Sequence, residues 1–292
     1  MEKLMTHILL CSFFIVLVLH ACPAISQEVG KPLLNSMHGG YCIIMRFKDE
    51  KEFDYEKGSD KGPDKWGEIH EEWSTCKHGN MQSPIDLLHE RVQVVSHLGR
   101  LQRSYKPSQA TLKNRGHDMK LSWEGDAGSI QINGTKYELK QCHWHSPSEH
   151  TVNGKRFDLE LHMLHETPSG KTAVVGIMYK IGRADSFLST LTDHLEALSD
   201  SSDQERDVGV VDPRHIKIGS RKYYRYMGSL TTPPCTEDVI WTIVNKVRTV
   251  TREQVNLLRV AVHDDSGSNA RPIQPINRRS VHFYRPRVED KN

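Results

Sequence analysis

Nothing in this sequence is apolar for long enough to cross a membrane. The one long hydrophobic run, Ile8 to Leu19, has twelve residues, against about 20 for a spanning helix. It follows Lys3 and leads into the small residues from Ala21 to Ser26, the order of a secretory signal peptide, so cleavage is expected near Ala24 or Ser26. A surplus of either charge is missing too: Lys and Arg total 39 against 37 for Asp and Glu, the formal charge is +2, and no basic block stands out. That argues against a nucleic-acid partner. There is no internal repeat of solenoid or propeller period and no low-complexity tract, so one domain is the simplest organisation. Neither H-E-x-x-H nor G-x-S-x-G occurs, which speaks against a hydrolase of either class.

Cysteine is sparse and never spaced as C-x-x-C, which argues against a redox motif or a zinc ribbon. Of six cysteines, Cys11 and Cys22 leave with the signal. Cys42, Cys76, Cys142 and Cys235 remain, with three full pairings open to them and at least one disulfide expected in an oxidising compartment. Asn133-Gly134-Thr135 is a glycosylation sequon that gains weight behind a signal peptide.

What is present is enough apolar residue, 37%, to fill a core. The expected order is a signal over 1–26, an irregular lead-in over 27–52, one domain over 53–287 and a tail over 288–292. Short segments of strand character recur between turn signals: Met119 to Trp123, Ser129 to Ile132, Tyr137 to Ser146, Phe157 to His165, Ala173 to Ile181 and Val239 to Val247. Only Ser186 to Leu198 and Arg252 to Val260 read as helical. The fold class is therefore mainly β with a few short helices, a single domain around a large, twisted and mostly antiparallel central sheet.

Two segments carry the chemistry, Gln141-Cys142-His143-Trp144-His145 and Leu159-Glu160-Leu161-His162-Met163. On strands, side chains alternate, so Gln141, His143 and His145 share one face, as do Glu160 and His162. Asn153-Gly154 between them is a hairpin signal, and a two-residue turn there predicts His145 opposite His162. Facing β-carbons lie about 4.5–5.5 Å apart, so three imidazoles could reach one ion. Gln141 and Glu160, each two positions before a histidine, suit acceptors that fix a ligand's tautomer. Three neutral imidazoles leave zinc its full charge and one open position, the pattern of a catalytic site. Among 17 histidines an H-x-H pair also arises by chance.

These segments resemble the signature stretches of alpha carbonic anhydrases, in wording most like the plant members. The likeness runs from about Phe53 to Arg279 and takes in Lys61-Gly62-Pro63, Gln82-Ser83-Pro84-Ile85-Asp86, Asn114-Arg115-Gly116-His117, Ser148-Glu149-His150-Thr151, Gly228-Ser229-Leu230-Thr231-Thr232-Pro233-Pro234 and Arg271-Pro272-Ile273-Gln274-Pro275. It implies reversible hydration of carbon dioxide to bicarbonate by zinc-bound hydroxide. By the same likeness His143, His145 and His162 are the zinc ligands, supported by Gln141, Glu160, Asn269 and Tyr226. Glu149 and Thr231 orient the reacting oxygen, and His117 is the proton shuttle. Thr231 and Thr232, with the apolar wall of Leu164, Val174, Leu230, Val239 and Trp241, take the substrate. Sulfonamides and anions are the expected inhibitors. A Cys76–Cys235 bridge is implied as well; closing so long a loop is worth about 5 kcal/mol in a chain-entropy model. Cys142 then reads as a buried free thiol. The stretch from Glu28 to Phe47, with Cys42, has no counterpart in the family and reads as a loose leader. The expected destination is the secretory pathway and the extracellular or apoplastic space, the alternative being the chloroplast stroma reached through that pathway. A rival function is storage or binding on the same fold, which loss of a ligand histidine would favour; none is lost.

Overall fold

The computed structural model describes residues 52–198, 205–260 and 267–286. The expected signal, most of the expected lead-in with Cys42, and the expected tail lie outside the described residues. Sixteen strands follow in chain order: β1 Asp86–Leu87, β2 Val92–Val95, β3 Gln102–Arg103, β4 Ser108–Asn114, β5 Met119–Trp123, β6 Ser129–Ile132, β7 Thr135–His145, β8 Thr151–Val152, β9 Lys155–Arg156, β10 Leu159–Glu166, β11 Thr172–Ile181, β12 Glu205–Val211, β13 Tyr223–Gly228, β14 Val239–Val244, β15 Arg248–Val250 and β16 Val281–Tyr284. Thirteen form one sheet whose main path is β12-β4-β5-β7-β10-β11-β14-β13-β16-β2, and β1-β8-β9 form a small second sheet. Most neighbours are antiparallel, and β11–β14, β11–β15, β16–β2 and β1–β8 are parallel.

Position in the sheet follows from the residue pattern. Central β10 and β11 are buried along nearly their whole length, so both faces are covered and the strands read as near-continuous runs. Nearer the edge, β5 alternates buried Met119, Leu121 and Trp123 with half-buried Lys120 and Ser122. One face packs a large core that includes Cys142, Trp144, Leu161, Met163, Val175 and Ile177. The other face carries a smaller cluster around Val174, Tyr226, Val239 and Trp241.

Two of the expected elements differ by more than a residue or two at an end. The helix expected over Ser186 to Leu198 is two, Ser186–Ser189 and Thr192–Leu198. Asp185 caps the first, accepting from the Phe187 and Leu188 amides, and the Thr190 hydroxyl donates to the Phe187 carbonyl at 2.7 Å, competing with the backbone at the break. The apolar stripe Phe187, Leu188, Leu191, Leu195 and Leu198 is buried all the same. The strand expected over Val239 to Val247 stops at Val244, where the Asn245 amide turns to the Lys222 carbonyl, and β15 resumes at Arg248. Short helices at Trp66–Ile69 and Thr75–His78 escaped the periodicity because one turn is too brief to show it.

Candidate metal centre

The site lies across β7 and β10 in the middle of the large sheet. The Asn153-Gly154 turn is present, with both residues at positive φ and Thr151 facing Arg156. Further along, however, Glu160 faces His145 and His162 faces His143, so His145 is not opposite His162 as expected. Six steps from His145 to Thr151 match four from Arg156 to Glu160. The two additional residues fall in the stretch that includes Pro147, which has no N–H for a ladder, and His150, whose amide donates to Glu160 Oε2. An even shift keeps every side chain on its face. The three histidines still converge, with ring centroids 5.0, 5.3 and 4.7 Å apart.

Each ring is held from outside by a different acceptor. His143 Nδ1 lies 2.9 Å from Gln141 Oε1, His145 Nδ1 lies 2.7 Å from the Asn269 carbonyl, and His162 Nε2 lies 3.0 Å from Glu160 Oε1. With a proton assigned to each of these nitrogens, the open ones are Nε2 of His143, Nε2 of His145 and Nδ1 of His162. One nitrogen from each histidine lies within 4.8 Å of the others. Burial pushes His143 well below the ordinary imidazole range, opposed by Asp118, and pushes His162 down against the pull of Glu160. Both are therefore neutral, the form that binds a cation. Burial would raise Glu160, but His150 and His162 outweigh it and hold the carboxyl well below its usual range.

The residues present fit a divalent ion. His145 Nε2 and Glu149 Oε2 are buried with no hydrogen-bond partner, an arrangement that costs free energy unless something polar occupies the space between them and their neighbours. Glu149 Oε2 lies 3.8 Å from His162 Nδ1. His150, Glu160 and His162 also cluster, but there the nitrogens are already used: His150 Nδ1 on Glu160 at 2.7 Å, His150 Nε2 on Tyr226 Oη at 2.6 Å, and His162 Nε2 on Glu160. That cluster is a hydrogen-bond network. It continues from Tyr226 Oη to Ser83 Oγ at 2.8 Å and on to the Ser229 amide at 3.0 Å, two residues before Thr231. His150 sits between strands, so no alternation marked it in the sequence.

Glu149 Oε1 accepts from the Arg271 amide at 2.9 Å. The Arg271 side chain is buried, donating to Gln82 Oε1, the Ser83 carbonyl and the Cys76 carbonyl. Nothing in the sequence pointed to that role. Thr231 is buried on the loop between β13 and β14 and does not donate to Glu149 here, which leaves Oε2 open. Thr232 is half-buried beside it, its carbonyl accepting from the Cys235 amide. Cys76 and Cys235 are bonded, and Cys142 is a buried free thiol whose pKa burial pushes up. Val174, Val239 and Trp241 are buried in one cluster with half-buried Leu164 and Leu230 against it, and the Trp241 ring centroid is 4.8 Å from that of His162. Asn269 does more than hold His145: its amide donates to the carbonyls of His117 and Trp144, and its Oδ1 accepts from Ser146. His117 is buried, its ring 4.8 Å from that of Phe53. Asn133 lies in the exposed β6–β7 turn at positive φ, far along β7 from the histidines.

The sequence model of the eukaryotic-type carbonic anhydrase family matches residues 61–285. Alpha carbonic anhydrase 7 of Arabidopsis thaliana is 58% identical over 278 residues, 95% of this chain and 97% of that protein. A crystal structure of dioscorin complexed with ascorbate superposes with a TM-score of 0.79 at 48% identity, over 81% of this chain and 99% of that one. The alpha-carbonic anhydrase of Thermovibrio ammonificans, in complex with the inhibitor sulfanilamide, gives 0.72 at 34% identity, over 79% and 98%. With the match spanning most of the chain and the same architecture in these structures, this chain belongs to the eukaryotic-type alpha carbonic anhydrase family.

Proposed function

We propose that the protein is a zinc enzyme that interconverts carbon dioxide and bicarbonate, CO2 + H2O giving HCO3− + H+, after entry into the secretory pathway. One observation carries this reading: three buried imidazoles, each with one nitrogen engaged by a separate acceptor, bring one ring nitrogen apiece to within 4.8 Å of the others. A storage role needs no such preorganisation. Zinc held by His143, His145 and His162 would supply Lewis acidity strong enough to ionise water near pH 7, a value for which carbonic anhydrase is itself the standard example.

The chain's own residues do the rest. Gln141, the Asn269 carbonyl and Glu160 fix the rings and their tautomers. Glu149, held by the Arg271 amide, keeps Oε2 as an acceptor for the Thr231 hydroxyl; a hydroxyl committed as donor there can only accept from the attacking oxygen, which aims that oxygen's lone pair at carbon. Val174, Val239 and Trp241, with Leu164 and Leu230, offer carbon dioxide an apolar wall beside His162. His117 takes the released proton towards solvent.

Elemental analysis tests this reading. The purified chain should carry one zinc, bind an aromatic sulfonamide, and lose both properties on His162→Ala. Full metal occupancy in that variant would overturn the ligand assignment.

A further inference from the structure

Tyr223, Arg225 and Met227 on β13 point away from the histidines, alternating with Tyr224 and Tyr226 on the site's face. There a cavity of about 460 Å³ opens between the Leu98–Gln102 segment, the β6–β7 turn and β13. Arg225 lines it. Its Nε donates to Thr242 Oγ1 at 3.0 Å, and its guanidinium lies 5.1 Å from the centroid of the Tyr223 ring. The Tyr223 hydroxyl in turn donates to the Gly99 carbonyl at 2.9 Å, fixing the wall opposite. These contacts hold the guanidinium plane and leave its two terminal nitrogens donating to no described residue. Among the described residues no carboxylate pairs with Arg225, although burial is strong enough to lower its pKa from the usual arginine range.

A half-buried cation without a counter-charge is a ready partner for an anion, and a rigid guanidinium fork is complementary to a carboxylate. A second cation, exposed Arg100, lines the same cavity. Leu98, Leu101 and Ile132 add apolar surface beside the two charges. The volume exceeds what a bare inorganic anion fills, and the apolar walls suit a carbon skeleton. We propose that this cavity binds a small organic carboxylate, gripped by the Arg225 fork and steered by Arg100, on the sheet face opposite the histidine centre.

The test is calorimetric titration of the zinc-loaded full chain with benzoate, with excess aromatic sulfonamide closing the histidine centre to anions. Benzoate should bind, more tightly than inorganic phosphate, while neutral benzamide should not. Arg225→Gln should weaken benzoate binding by about tenfold or more, and Arg100→Gln by less, since charge-assisted bidentate contacts are the strong ones. Retained sulfonamide binding and unchanged carbon dioxide hydration show that the Arg225→Gln chain is folded. Should it fail to fold, Arg225→Lys keeps the charge and loses the fork, and should still weaken benzoate several-fold. No benzoate binding, binding untouched by Arg225 substitution, equal binding of benzamide, or tighter binding of phosphate would each overturn the proposal.

Discussion

His117 and His165 are both buried histidines in different surroundings. His117 sits beside Asn269 and packs against Phe53. If it only exports protons, His117→Ala should lower kcat for carbon dioxide hydration while leaving kcat/KM nearly unchanged, because attack on carbon precedes proton export. Added imidazole should restore much of the loss. Equal losses in both parameters without rescue would make His117 structural. His165 instead bridges Tyr105 and the Ala173 carbonyl in the core, and burial lowers its pKa to about 4. Between 6.5 and 4 the unfolded chain takes up a proton that the folded chain refuses. Stability is thus intact above about pH 6.5 and falls as pH drops towards 4. From pH 7 to 5 this one group removes about 2 kcal/mol. Urea unfolding at the two pH values should show a His165→Gln chain losing about that much less than the parent; an identical loss would contradict the assignment. The three converging histidines were legible from strand alternation together with the Asn153-Gly154 turn, because a period of two reveals which side chains share a face and survives the register shift of two that puts His143, not His145, opposite His162. Which nitrogen of each stays open was not, since His145 is oriented by Asn269, 124 positions away.

Strand pairing makes a demand of its own opposite His162, where β11 places Gly176. A β-carbon there would stand 2.6 Å from Ile243 Cδ1 and 3.0 Å from Glu160 Oε1. The isoleucine tip can move aside, but Glu160 is tied to both His150 and His162 and cannot. Gly176→Ala should therefore cost about 1–3 kcal/mol as overpacking and speed zinc loss to a chelator. A substituted chain with the parent's unfolding midpoint and zinc retention would show that the close approach is not needed. The hairpin teaches the complementary lesson. Its turn residues were readable, and the local pairing of Thr151 with Arg156 follows from them. The two additional residues before it were not readable, because the partners that hold Ser148 and His150, Phe157 and Glu160, are fixed by tertiary contacts. The helix break at Thr190 was missed for a related reason: an apolar stripe continues across an interruption that only hydroxyl-to-backbone competition creates.

At the scale of the whole molecule, one sheet divides the labour. Its large core face carries the bulk of the packing, and the opposite face is free to hold buried histidines and carboxylates in a network running from His162 through Glu160, His150, Tyr226 and Ser83 to the Thr231 loop. The Cys76–Cys235 bridge ties the same loop to the helix at Thr75–His78 across 159 residues, and Arg271 joins that helix to Glu149 through the Cys76 carbonyl. Mainly antiparallel character was legible from the strand spacing, whereas β12 and β13 were not, having charged residues where a simple alternation expects apolar ones. Whether these parts form a catalyst and not only a fold is tested most directly by the rate of carbon dioxide hydration as zinc is removed from the purified chain with a chelator and titrated back. The rate should fall to the buffer background without metal and rise in proportion to zinc until one ion is bound per chain. One zinc bound in full, with hydration no faster than buffer, would contradict it.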